Sequence, residues 1–139
     1  FAQLAKYSGD ARWTDACLSL LSNLQDMMAR YPNAFSAWLQ CLSFSLGPIE
    51  EIALVWPENT AEPMNFLSHL RQTYRPFSVQ AAASLPLKVS LPRLLEERTA
   101  INQLPTVYIC ENFTCQAPLT DFTEFQQRWS GKAQIEKPA

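Results

Sequence analysis

A chain of 139 residues is about one domain long and can bury a real core. Its 11 basic and 13 acidic residues leave a net charge of -2 with no basic run, which argues against a phosphate-tracking nucleic-acid surface. The charged fraction of 17% falls below the roughly 25% of an ordinary domain, and the missing charge points to surface that something else covers.

Residues 1–7 read as the end of a helix, stopped by Ser8-Gly9 with Gly9 in the position that follows a helix. Asp10 then caps a second helix over about 11–30, in which Trp13, Cys17, Leu20, Leu21, Leu24, Met27, Met28 and Tyr31 recur at spacings of three and four. Pro32 breaks it and Asn33 can cap the next helix, Ala34 to Leu46, which is apolar on nearly every face and should therefore be covered all round. The uncharged run 31–49 is no membrane anchor. Its prolines and Gly47 leave a helix of about 13 residues, against roughly 20 needed to span a bilayer.

The pattern then changes. Glu51 to Trp56 is a short apolar run bounded by prolines, as expected for a strand buried on both faces. A helix follows from Ala61 to Tyr74, with Pro63 near its start and Phe66, Leu67, Leu70 and Tyr74 as its inner stripe. Phe77 to Ala83 is a weaker, alanine-rich strand. Ser90 is placed to cap a short helix carrying Leu91, Leu94 and Leu95, and Pro105 precedes a strand over Thr106–Cys110. Asp121 with Glu124 forms a capping-box start to a last helix with Phe122, Phe125 and Trp129 inside, and the tail 132–139 reads as frayed.

Strands alternating with helices predict an α/β fold: a three-stranded parallel sheet in the order 2-1-3, with helices on both faces and the N-terminal helical hairpin packed on it. A parallel sheet of that order has a switch point at the carboxyl ends of strands one and three. The turns 57–60 and 111–116 would meet there.

The second of those turns holds the densest chemistry. Cys110, Glu111, Asn112, Cys115 and Gln116 form a candidate ligand loop, and Asp121 follows as a helix cap. The four residues between Cys110 and Cys115 fit neither the two-residue spacing of redox pairs nor a complete zinc set, since Cys17, Cys41 and His69 are each singly placed. No metal is expected. With no secretory leader to be seen and a cytoplasmic setting expected, the four cysteines read as thiols, most simply as small apolar residues. Glu111, Asn112 and Gln116 could bind a polyhydroxylated ligand or orient a water; more plainly, they satisfy backbone groups in a tight loop. His69, among Ser68, Arg71 and Gln72, is expected on the outer face of its helix, and the tryptophans mostly in the core. No phosphate-cradling or dinucleotide motif occurs among three glycines, so no cofactor is implied.

Three stretches together resemble a known family. Leu4-x-x-Tyr7-Ser-Gly-Asp10-x-x-Trp13 is similar to a helical-hairpin turn, and Pro32-Asn-Ala-Phe35 with Leu42-Ser-Phe-Ser-Leu-Gly-Pro48-Ile-Glu-Glu-Ile-Ala53 to the passage from a helical toroid into a strand. Val107-Tyr-Ile-Cys-Glu-Asn-Phe-Thr-Cys-Gln-Ala-Pro118 carries the most specific likeness. All three resemble the C-terminal part of the thioredoxin-domain proteins of the bacterial YyaL and spermatogenesis-associated protein 20 type. The resemblance implies that residues 1–47 close a six-hairpin toroid and that 48–131 form a small C-terminal α/β domain. It also implies a structural or interaction module whose partners are the toroid and thioredoxin-like domain of its own polypeptide. The family's activity is not established, and its thioredoxin-type cysteines and toroid carboxylates would lie outside this chain. The alternative is part of an enzyme on carbohydrate-related or thiol-redox substrates, with Cys110–Gln116 lining a cleft. The apolar stripe of 11–30 adds an expectation of self-association.

Overall fold

The computed structural model describes residues 1–86, 92–111 and 114–131. Ser90, Leu91, Asn112 and the tail 132–139, to which the sequence assigns roles, lie outside the described residues.

Helix α1 (Ala2–Ser8) ends on Gly9, whose φ of 64° is left-handed, and the Gly9 N–H returns to the Ala5 carbonyl. The Arg93 side chain packs over Gly9, where a Cβ would meet its Cδ. Helix α2 (Ala11–Arg30) begins where the Asp10 carboxylate accepts the Arg12 N–H, and its buried stripe is Cys17, Leu21 and Met28. Helix α3 (Ser36–Leu46) starts two residues later than its apolar run, after a turn through Pro32 and Asn33, and Asn33 does not cap it. Nor is α3 covered all round: only Phe44 is buried, while Leu46 is 74% exposed.

The sheet has four strands in the order β2-β1-β3-β4. Strand β1 (Glu50–Pro57) is central and buried over six successive residues. It pairs parallel with β2 (Ser78–Leu85) through α4 (Met64–Gln72), which buries Phe66, Leu67 and Leu70. Tyr74 lies beyond the end of α4 and is 89% exposed, so it is not part of the inner stripe. Strand β3 (Thr106–Glu111) runs antiparallel to β1, with Glu50 opposite Glu111 and Val55 opposite Thr106.

The predicted all-parallel, three-stranded sheet is thus corrected to a mixed, four-stranded one. The reason lies between β2 and β3. A parallel return needs a crossover long enough to carry the chain back to the start of the sheet. Here the described connection forms two short 3-10 turns, Arg93–Leu95 and Ile101–Gln103, of which the first buries Leu94 and Leu95. The chain crosses one face and enters β3 at the end where β1 finishes. Strand β4 (Thr114–Cys115) then folds back on β3, and helix α5 (Phe122–Gly131) closes the fold.

Helices do cover both faces. One face of the sheet packs Ile52, Leu54, Trp56, Val107 and Ile109 against Phe66, Phe125 and Trp129 of α4 and α5. The other packs Ala53, Val55 and Val79 against Phe44 of α3 and the Leu94–Leu95 turn, with Ala2 and Tyr7 of α1 at the margin. A third apolar cluster joins α2 to α3. Among the described residues no helix is long and apolar enough to cross a membrane.

Candidate functional site

Reversing β3 dismantles the predicted switch point. Glu111 pairs with Glu50 at the start of β1, while the turn 57–60 follows its end, so the two turns lie a strand length apart, about 23 Å at ~3.3 Å per residue. The 57–60 turn is closed on itself: Thr60 donates its N–H and hydroxyl to the Pro57 carbonyl at 3.0 and 2.7 Å. Two surface clefts lie elsewhere, one of about 1140 Å³ bordered by Phe1, Asn33, Gln40, Cys41, Tyr74 and Phe77, the other of about 460 Å³ beside Tyr7 and Arg71. Neither is bordered by the described residues of 110–116.

What the structure builds around Cys110 is a hairpin edge. Cys110 and Cys115 are directly opposed on antiparallel strands, with the Gln116 N–H donating to the Ile109 carbonyl beside them at 3.0 Å. Opposed residues of this kind hold their side chains on one face of the sheet. The two sulfurs are joined as a disulfide, with Cα atoms 3.9 Å apart, which corrects the reading of all four cysteines as thiols. The register beside them sets Glu111 opposite Thr114, and the same pairing brings the two cysteines face to face. Cys110 is 2% exposed, whereas Glu111, Cys115 and Gln116 are exposed.

Arg98, to which the sequence drew no attention, reaches this site from the segment before β3. Its Nη2 donates toward Cys110 Sγ at 3.5 Å, and its guanidinium lies 5.0 Å from the centre of the Tyr108 ring. Glu51 is opposite Cys110 in the β1–β3 register, is buried, and has Lys6 Nζ 3.9 Å from its carboxylate. Twelve residues separate Arg98 from Cys110, and only the path of the 92–105 connection brings them together. Asp121 accepts the Glu124 N–H at 2.8 Å at the start of α5, but the Glu124 carboxylate turns to Arg128 at 3.0 Å, so the capping box is not reciprocal.

The other cysteines form a second pair. Cys17 of α2 and Cys41 of α3 hold their free sulfurs 3.6 Å apart, and Ser45 Oγ is 3.6 Å from Cys17 Sγ. Burial pushes the Cys41 thiol up, and the hydrogen bond and charge of Cys17 add to it. His69 does not face outward: its ring packs edge-on against Phe122 and Phe125, 5.9 and 5.7 Å between centres, because α5 lies across α4. Trp56 and Trp129 are buried, whereas Trp38 is an exposed residue of α3. Among the described residues no three His, Cys, Asp or Glu side chains gather as a metal site.

Fold and site together define a small α/β module: a mixed sheet between helical layers, with one disulfide-bonded hairpin at its edge. In sequence the chain is similar to spermatogenesis-associated protein 20 of three mammals: 25% identical to the human protein over 128 residues, 26% to the mouse protein over 128, and 28% to the rat protein over 124. These matches take in 86–90% of this chain but 16% of each relative, so the chain spans about a sixth of the proteins it resembles. No family model and no solved structure matches it.

Proposed function

We infer that this chain acts as a structural docking module of a larger polypeptide, its helical layer 1–47 packing on neighbouring helices and 48–131 forming the terminal α/β unit. The observation that carries this is the outer surface of the helical layer. Leu20 and Met27 are exposed seven residues apart on α2, Tyr31 is exposed at its C-cap, and Trp38 and Leu46 are exposed on α3. Apolar side chains repeated along one helix face are the usual mark of a buried helix–helix contact. The match to a sixth of much longer proteins supports the same reading. The preceding part of a toroid-bearing polypeptide is the partner this reading requires, and the thioredoxin-like domain would lie further off.

The carbohydrate-related alternative has Cys110–Gln116 lining a cleft, and neither of the two clefts above is bordered by the described residues of that loop. The docking reading is tested by mixing this chain with the separately produced remainder of the polypeptide. A stable complex is expected, and Leu20→Asp with Met27→Asp should weaken it at least tenfold. Absence of a complex, together with a monomer in sedimentation at all concentrations, would overturn it.

A further inference from the structure

We propose that Cys110–Cys115 is an exchange-active disulfide that accepts electrons from a dithiol through attack at Cys115, with Arg98 placed to stabilise the departing Cys110 thiolate. This goes beyond docking, and it rests on three features of the hairpin edge. The first is the difference between the two sulfurs. Cys115 belongs to an exposed two-residue edge strand, whereas Cys110 is buried, so an incoming thiolate meets Cys115. The buried sulfur is then the leaving group, and thiol–disulfide exchange is faster when the leaving thiol has a lower pKa.

The second feature is the cation held there. The Arg98 guanidinium lies at hydrogen-bond distance from Cys110 Sγ, and its Nε is buried without a hydrogen-bond partner. Among the described residues no carboxylate forms an ion pair with it. The nearest acid in the strand register, Glu51, has the Lys6 ammonium beside it, and Glu111 is exposed to water. While the disulfide is intact, Arg98 therefore faces a neutral sulfur and the Tyr108 ring. Reduction creates the anion that this site lacks. An opposite charge at such a distance lowers an acid's pKa by about 1–3 units, so the cation favours the reduced state. A disulfide whose reduced form is stabilised is an oxidant.

The third feature is that the step closes chemically. One thiolate of the dithiol bonds to Cys115 Sγ as the Cys110–Cys115 bond breaks, and the electron pair goes to Cys110 Sγ. The second thiolate then attacks its own partner sulfur in the mixed disulfide, and the Cys115 thiolate leaves. The dithiol loses two electrons and becomes a disulfide, while the protein gains two. The two protons given up by the dithiol go to Cys115 and to solvent, with Cys110 kept as the thiolate beside Arg98. The substrate class is a dithiol, on a small molecule or a protein. The chemistry upstream is any reaction that leaves such a dithiol reduced.

The test equilibrates the chain with mixtures of reduced and oxidised dithiothreitol. Alkylation and peptide mass spectrometry then read Cys110 and Cys115 separately from Cys17 and Cys41. Reduction is expected in the folded state, at unchanged far-ultraviolet circular dichroism. Arg98→Met should lower the equilibrium constant for reduction about tenfold, equivalent to about 30 mV, from a one-unit loss of thiolate stabilisation. Arg98→Lys, which keeps the charge, should recover most of that loss. In Cys110→Ser, glutathione disulfide should form an adduct on Cys115; in Cys115→Ser, Cys110 should label far more slowly. Reduction that occurs only in denaturant overturns the proposal, as does an Arg98→Met chain indistinguishable from the original. Equal labelling of the two single cysteines overturns the assignment of Cys115 as the attacked sulfur.

Discussion

Arg75 shows how much one side chain can connect. It donates from Nη1 to the Glu50 carboxylate at 2.7 Å, donates from Nη2 to the Trp129 carbonyl, and lies 3.8 Å over the Trp129 ring. The segment before β2, the first residue of β1 and the end of α5 are thereby joined by one guanidinium. The pair is nearly buried, with side-chain exposures of 9% and 15%, so removing Arg75 takes a close cation from a carboxylate largely out of water. Arg75→Ala should cost about 3 kcal/mol in denaturant unfolding. Arg75→Lys should recover only part of that, since an ammonium keeps the charge but not the flat face and the fork. At the opposite layer, the raised Cys41 thiol predicts slow alkylation of native protein through neutral pH, measurable by timed labelling. A thiol pKa raised by folding contributes stability fully present below the ordinary thiol pKa and lost as pH rises through the folded value. A stability profile should therefore fall on the alkaline side, and Cys41→Ala should flatten that fall.

At the scale of elements, each helix start states its own chemistry. Arg12 bonding holds the Asp10 carboxyl below the usual carboxylate range, first through its guanidinium and then through its backbone N–H. A carboxylate depressed by folding stabilises above its unfolded pKa and loses that contribution as pH falls through the folded one. At the other end, Asp121→Ala removes the acceptor for the Glu124 N–H and should destabilise by about 1 kcal/mol, read from the urea midpoint. Helix α2 was legible in sequence to both ends because twenty residues carry one uninterrupted period behind a capping aspartate. Strand β1 was legible because five of its six buried residues, 52–56, form one apolar run ending at Pro57. The direction of β3 was not legible, since a strand reads the same in either direction. The path into it was set by Leu94 and Leu95, whose spacing suits a helix but which form a single 3-10 turn. Strand β4 is two residues long, too short for any alternation to show. Without a sequence signal for β4 there is none for the hairpin, nor for the pairing of Cys110 with Cys115. The spacing was visible, but its geometric meaning depended on the turn. Arg98 had no sequence signal at all, because a contact twelve positions along, from the connection into β3, follows from the fold alone.

For the whole molecule, the question is whether 1–47 and 48–131 behave as one folding unit. Residues from both sides share a core: Phe44 and Ala2 pack with Ala53, Val55 and Val79 of the sheet. Polar contacts cross the same boundary. The Tyr7 hydroxyl donates to the Gln80 carbonyl at 2.8 Å and accepts its N–H at 3.3 Å, covering the exposed edge of β2. An edge strand left open invites pairing with another chain, so this hydroxyl both stabilises and protects. A shared core of this kind should unfold in one transition, with tryptophan fluorescence and far-ultraviolet circular dichroism coinciding. Tyr7→Phe keeps the ring but leaves two backbone groups of Gln80 without their partner. It should lower stability by about 1 kcal/mol and shift both probes together. If fluorescence moved and circular dichroism did not, the helical layer would be separable from the sheet. That outcome would make 1–47 part of a neighbouring unit, held to the sheet by contact and not by a common core.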